Sequence, residues 1–232
     1  MQGSTVDIEA LRRVGVIALK DNLFSVWVKT ACCNLNSNQL RRLADITDRY
    51  ARGFLLFSTR QTPIIPYIEL NDIDAVKHEL GEVEMELDRC GPRVRNLNVC
   101  YEDKICPKAV VNSISLGEKL EKFFGSQILH KIKIGIAGCS QDCVVARVLS
   151  DVGFIGTAVN GFKGYDAYVG GRLGVNPFVG VKIIERLSEE ECVKFVHNYF
   201  ELIGSRGKTG ERGADLINRL GVETVKQYLT RD

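Results

Sequence analysis

A chain of 232 residues with 45% hydrophobic and 26% charged side chains can bury a real core, as one compact unit or two small ones. Its net charge of +2 gives no reason to expect a nucleic-acid or membrane partner, and no apolar run approaches the roughly 20 residues that span a bilayer. The N-terminus MQGSTVDIEALRR lacks the apolar core of a signal peptide, so the eight cysteines are expected in a reducing cytoplasm, as ligands or buried small residues rather than disulfide partners.

In chain order, LFSVWVKTACC has strand-type residues. NSNQLRRLADITDRYA opens with polar cap candidates and spaces Leu40, Leu43, Ile46 and Tyr50 as one helical face. GFLLFSTRQTPIIPYIEL reads as strand again and DIDAVKHELGEV as a second helix. Strand, helix, strand, helix over roughly residues 10–85 predicts a ferredoxin-like half domain, a statement of topology that implies no cluster.

From about residue 90 the composition shifts to cysteines, glycines and cations. CPKAVVNSISLGEKLEKFF predicts an amphipathic helix starting at Cys106, with Pro107 in its first turn and Val110, Ile114 and Leu120 apolar. KIKIGIAGC predicts an alternating strand ending in a glycine turn at Cys139. QDCVVARVLSDVG predicts a helix with Cys143 in its first turn, and SEEECVKFVHNYFELIG and GADLINRLGVETVKQYL predict two closing helices. Both cysteine pairs, Cys100/Cys106 and Cys139/Cys143, are thus expected at loop-to-helix junctions, where backbone N–H groups favour anionic sulfur.

Zinc knuckles favour C-x2-4-C, so the five residues between Cys100 and Cys106 match poorly; iron–sulfur clusters accept thiolates at more varied spacings. A structural zinc site stays open as an alternative. Cys32, Cys33, Cys90 and Cys192 have no such partners and read as buried small residues. His78 and His197 read as helix-surface or core residues, and His130 as a neighbour of the cations beside it.

The motifs VCYEDKICP and IAGCSQDC resemble the paired cysteine motif of the sirohaem-containing sulfite and nitrite reductases. QLRRLADITDRYARGFLLFSTRQ resembles that family's ferredoxin-like half domain, DVGFIG and YVGGRLG its sirohaem domain, and GERGADLINRLGVE its tail. The resemblance implies an α+β chain, with a ferredoxin-like half domain (1–85) followed by an α/β domain (86–232) that binds sirohaem and a [4Fe–4S] cluster. It implies Cys100, Cys106, Cys139 and Cys143 as cluster ligands, with Cys143 bridging to the sirohaem iron.

Sirohaem carries eight carboxylates and the substrate is an oxyanion, so a buried site needs cations. By resemblance these are Arg60, Arg95, Lys131 and Lys133, at both sirohaem and substrate. Two apart on a strand, Lys131 and Lys133 share one face, a solvated strand face being the alternative. Arg93, Lys108 and Arg172 are further candidates for the carboxylates or ordinary surface charges, and Gly170 and Gly171 allow a close approach of the backbone to the macrocycle or simply a tight turn.

The implied activity is six-electron reduction of sulfite to sulfide. Sulfite is preferred over nitrite because both basic positions of KIK are lysine. The alternatives are nitrite reduction, or a [4Fe–4S] electron-transfer subunit without catalytic sirohaem. The usual family enzyme is a tandem of two halves, so a homodimer is expected to restore the missing half. Pro63 and Pro66 depart from the family's polar residues after STRQ. With no C-x2-C-x2-C-x3-C-P insertion, no Rossmann glycine fingerprint and no flavin-domain length, electrons are expected from a separate ferredoxin-like donor or a partner subunit.

Overall fold

The computed structural model describes residues 7–126 and 130–231, which divide into two compact units, Met1–Gly91 and Pro92–Asp232.

In the first unit, helix α1 (Ile8–Arg13) leads into strands β1 (Val16–Ala18) and β2 (Phe24–Trp27), helix α2 (Ser37–Tyr50), strands β3 (Leu56–Phe57) and β4 (Pro63–Ile68), and helix α3 (Ile73–Gly81). The antiparallel sheet has the order β1-β2-β4-β3. Helix α2 starts where its sequence says: the Asn36 side chain accepts from the N–H of Asn38 and Gln39, and Gln39 returns a bond to the Asn36 N–H. Leu43 and Ile46 of α2 and Val76 and Leu80 of α3 meet Val16, Val26, Ile65 and Ile68 of the sheet, while Leu40 stays exposed. The run from Gly53 to Leu70 is a hairpin rather than one strand, because Ser58–Thr62 close a turn with Gln61 at φ 58° and Ser58 N–H donating to Thr62 O.

The second unit holds β5 (Asn98–Val99), α4 (Ser113–Glu121), β6 (Ile134–Ala137), α5 (Ala146–Leu149), β7 (Val152–Val159), β8 (Phe162–Val169), β9 (Val181–Leu187), α6 (Glu189–Arg206), α7 (Gly213–Leu220) and α8 (Val222–Leu229). The sheet runs β5-β6-β7-β8-β9, parallel across the first three strands and antiparallel after them. Four sequence expectations change here. Strand β6 is buried at every position instead of alternating, as a parallel strand covered on both faces must be. The helix expected from Cys106 begins only at Ser113, capped by Asn112, because Val110 N–H donates to Gly138 O and draws that stretch of backbone to a neighbouring loop. The helix expected around Cys143 shrinks to four residues starting at Ala146. The last predicted helix breaks into α7 and α8 at Gly221, whose φ of +82° ends a right-handed helix.

Helix α5 lies close against the sheet because glycines face it. A Cβ on Gly135 would stand 2.5 Å from Ser150 Oγ and 3.1 Å from Ala146 Cα, and one on Gly153 2.7 Å from Ala146 O. Among the described residues no helix is long and apolar enough to cross a membrane.

Candidate functional site

Cys100 directly follows β5, and Cys139 follows β6 after Gly138. The two strands are adjacent and parallel, with Val99 opposite Ile136 and Cys100 N–H donating to Ile136 O at 2.9 Å, so the first cysteine of each pair leaves the same end of the sheet. Cys106 and Cys143 lie in turns beyond them, seven residues before α4 and three before α5, so neither occupies the helical first turn that the sequence suggested. Cys100, Cys106 and Cys139 are half-buried and Cys143 is exposed.

The neck of this loop cluster is tightly built. Ser113, the first residue of α4, donates to Cys100 O (2.9 Å) and Tyr101 O (2.8 Å). A Cβ on Gly138 would come within 3.0 Å of Tyr101 O, and one on Gly156 within 2.4 Å of Gly138 O. Beside the neck a cleft of about 370 Å³ is lined by Lys108, Cys139, Ser140, Gln141 and Thr157 among others.

Burial pushes the Cys100 thiol up. Backbone N–H groups of Gly138 and Tyr101 bonded to its sulfur oppose that rise, and the charges of Cys143 and Cys106 add to it. The half-buried Cys100 sulfur, in one loop cluster with Cys106, Cys139 and Cys143, offers a soft donor suited to iron. Among the described residues no three His, Cys, Asp or Glu side chains converge on a point that would hold one metal ion. In sequence, the five residues between Cys100 and Cys106 match a zinc knuckle poorly and suit a cluster, which accepts thiolates at more varied spacings. An all-cysteine donor set of soft thiolates fits the same group.

The cations gather elsewhere on these strands. Val94 and Ile132 form a parallel bridge, with Arg95 N–H donating to Ile132 O (2.9 Å) and Ile132 N–H to Arg93 O (3.1 Å). Val94 and Ile132 are fully buried. Strand alternation then puts Arg93, Arg95, Lys131 and Lys133 together on the opposite face. Arg95 is itself buried, at 5% exposure, and the other three are half-buried or close to it. This array fits carboxylates or an oxyanion. It precedes β5 and β6, whereas the cysteines follow them: Cys100 stands five positions after Arg95 and Cys139 six positions after Lys133, which at about 3.3 Å per residue is on the order of 15–20 Å.

Other expected residues have internal uses. Arg60 belongs to the first unit, where its Nη2 bonds the fully buried Asp88 at 2.6 Å and its guanidinium lies over the Trp27 ring. Arg172 grips Asp215 through Nη1 (2.8 and 2.7 Å) and Asn176 O through Nε, tying a turn to α7. Lys108 is exposed at the rim of the cleft. The space that Gly170 and Gly171 leave open is filled by the chain itself: a Cβ on Gly171 would meet Arg147 O at 2.4 Å, and one on Gly170 would meet Ile217 Cδ1 at 2.8 Å. His130 is buried with Nδ1 3.1 Å from Glu211 O, His197 packs edge-on against Phe123, and His78 is exposed.

Sequence reasoning missed Asp151 and Asp142. Asp151, 1% exposed, accepts from Lys133 N–H (2.9 Å), from Arg212 Nε and Nη2 (both 2.8 Å) and from Gly213 N–H (3.2 Å), so it anchors the lysine strand to α7. Asp142 accepts the N–H groups of Ala146 and Arg147 at the start of α5. A lone Asp before a strand gives no signal, and Asp142 reaches four and five residues ahead, where a helix cap reaches two or three, so its spacing matches no capping pattern.

Residues 90–232 match the family described as the nitrite and sulphite reductase 4Fe-4S domain, and residues 17–83 match the nitrite/sulfite reductase ferredoxin-like half domain. The chain is 24% identical over 216 residues to an assimilatory-type sulfite reductase of Nitratidesulfovibrio vulgaris, covering 92% of this chain and 95% of that protein. It is 26% identical over 219 residues to a nitrite reductase [NAD(P)H] of Bacillus subtilis, covering 90% of this chain but only 25% of that protein. The solved structure of the Mycobacterium tuberculosis NirA protein shares the fold, with a TM-score of 0.84 at 21% identity over 97% of this chain and 46% of that one. The chain therefore belongs to the nitrite and sulfite reductase family of oxidoreductases, whose cofactors are a [4Fe–4S] cluster and sirohaem.

Proposed function

We propose that this protein reduces sulfite to sulfide, with residues 86–232 as the cofactor-binding domain and residues 1–85 as its ferredoxin-like half domain. The observation that carries the reading is the placement of Cys100 and Cys139 at one end of two adjacent parallel strands, with Cys106 and Cys143 in the turns beyond. These four thiolates hold the cluster, and Cys143, the exposed one, faces sirohaem. When bound, the two groups supply electron storage and a metal that takes the substrate sulfur.

The chain's own residues do the rest. Arg93, Arg95, Lys131 and Lys133 bind anionic carboxylates and the substrate oxyanion, and the lysine ammonium groups donate protons as S–O bonds break. The net change, HSO3⁻ + 6 e⁻ + 6 H⁺ → HS⁻ + 3 H2O, consumes a proton for every electron, so cations with proton access are part of the chemistry. Two lysines suit the sulfite dianion, and nitrite is the alternative substrate. Electrons come from an external ferredoxin-like donor.

Both the cations and the cysteines would have to reach one sirohaem, yet in this chain they sit at opposite ends of their strands. A homodimer in which each copy's cations complete the other's site reconciles the two. Mixing a Lys131→Ala/Lys133→Ala chain with a Cys143→Ser chain tests this: recovered sulfite turnover supports exchange in trans, and two dead proteins that stay dead when mixed refute it. Anaerobically purified protein tests the function itself. A red-region chlorin band over broad iron–sulfur absorption, with faster sulfite than nitrite turnover, supports the proposal; broad absorption alone supports an electron carrier.

A further inference from the structure

The second cysteine pair hangs on one carboxylate. Asp142, 8% exposed, receives Ala146 N–H on Oδ1 at 2.6 Å and Arg147 N–H on Oδ2 at 3.2 Å, with Arg147 Nε 3.5 Å from the same oxygen. Its own N–H donates to Cys139 O (3.1 Å), and its carbonyl accepts Val145 N–H (2.7 Å). Asp142 therefore joins both cysteines of the pair to the start of α5. That helix is seated firmly, since Gly135 and Gly153 let Ala146 lie against β6 and β7.

The geometry has a cost that marks it as more than a helix cap. Asp142 adopts φ 49° and Val145 φ 54°, both left-handed, and for a β-branched valine this is an unfavourable conformation. Two left-handed residues three positions from each other fold Cys139–Ala146 into a compact loop that carries Cys143. The side-chain bonds to Ala146 and Arg147 add to the backbone bonds that hold Val145 there, from its N–H to Asp142 O (2.7 Å) and to its carbonyl from Leu149 N–H (2.9 Å).

We propose that Asp142 is the positioning residue that keeps Cys139 and Cys143 at cluster-ligand spacing, by fixing their loop to the sheet through α5. The proposal rests on the cluster assignment above and extends it to a residue that touches no iron. Asn at this position keeps one carbonyl oxygen for Ala146 N–H and tolerates the left-handed backbone. Gly relieves the backbone and removes the acceptors, and Ala removes the acceptors and keeps the strain.

The test uses full-length wild type, Asp142→Asn, Asp142→Gly and Asp142→Ala, reconstituted anaerobically with iron and sulfide. Iron loss to a chelator and the electron paramagnetic resonance spectrum of the reduced cluster are recorded, and far-ultraviolet circular dichroism checks the fold. Asp142→Asn should lose iron within about two-fold of wild type, while Asp142→Gly and Asp142→Ala should lose it about ten-fold faster or more, the scale on which supporting contacts around a metal ligand act. Their spectra should also broaden as the ligand spacing becomes heterogeneous. Should Asp142→Ala fail to fold, Asp142→Gly carries the comparison without backbone strain. If wild type loads and Asp142→Gly matches it in iron loss and spectrum, the positioning role is wrong and the cluster assignment stands. If wild type takes up no four-iron cluster, both fall.

Discussion

Val94 and Ile132 face each other across a parallel bridge, and their burial sends the neighbours of both, Arg93 and Arg95, Lys131 and Lys133, to the opposite face. Cationic side chains gathered on one face suit an anion through charge-assisted contacts. Replacing Lys133 with Asn removes one charge-assisted contact, typically about 1.5–3 kcal/mol. Steady-state assays should show sulfite turnover impaired more than nitrite turnover, and equal losses would count against sulfite as the substrate.

The cysteine assignment predicts a graded set of iron contents. Cys100→Ser, Cys106→Ser and Cys139→Ser should each lower bound iron and acid-labile sulfide. Cys143→Ser should disturb the cluster and sirohaem spectra together, because a hard hydroxyl replaces a soft thiolate. Cys192, fully buried on α6, should tolerate Ser with both spectra intact. Unchanged iron in the first three variants would remove the cluster from this site.

Gly171→Ala should destabilise the protein even without cofactors, by about 1–3 kcal/mol, as overpacking does. Its Cβ would meet Arg147 O and Ser150 O, which are backbone atoms that cannot swing aside. Denaturant unfolding of the apoprotein measures this, and an effect seen only with sirohaem bound would return the glycine to the macrocycle.

Acid should weaken the first unit through Glu79. Burial raises this carboxyl's pKa, but hydrogen bonds from Tyr50 (2.8 Å) and Arg42 (3.2 Å) and the charges of Arg49 and Arg42 outweigh it, and the net shift is downward. A depressed folded-state value means that the unfolded chain takes up the proton first. The stabilisation is complete above the unfolded value of about 4.3 and is lost as pH falls through the lower, folded one. Glu79→Gln should flatten that acid limb in stability measured between pH 5 and 2, and an unchanged slope would show that Glu79 does not contribute.

The parts of the fold legible in sequence were those set by neighbours in the chain. The polar residues that open NSNQ announced α2, where Asn36 and Gln39 form the cap, and the two-residue spacing of Lys131 and Lys133 suited one face of a strand. Cys106–Asn112 carried helix-compatible spacing, yet Val110 N–H goes to Gly138, 28 residues away in sequence, and no local pattern encodes that bond. The four candidate ligand cysteines were visible as two close pairs, and the resemblance to the family's paired motif gave them their proposed role. That the cations lie at the far end of the same strands follows only from the register of β5 on β6.

Burial also sorts the thiols by the order in which iron can meet them. Cys32, Cys90 and Cys192 are closed to solvent in the folded chain, and burial holds the Cys192 thiol far above its usual pKa, with nearby Glu189, Glu191 and Glu190 adding to the effect. An unfolded chain offers iron eight nearly equivalent cysteines and many wrong combinations. Once folded, the chain leaves Cys143 fully open and Cys33, Cys100, Cys106 and Cys139 partly so. Loading the proposed cluster into the folded chain would therefore leave Cys32, Cys90 and Cys192 out of ligand choice and meet Cys143 as the most accessible thiol of the four.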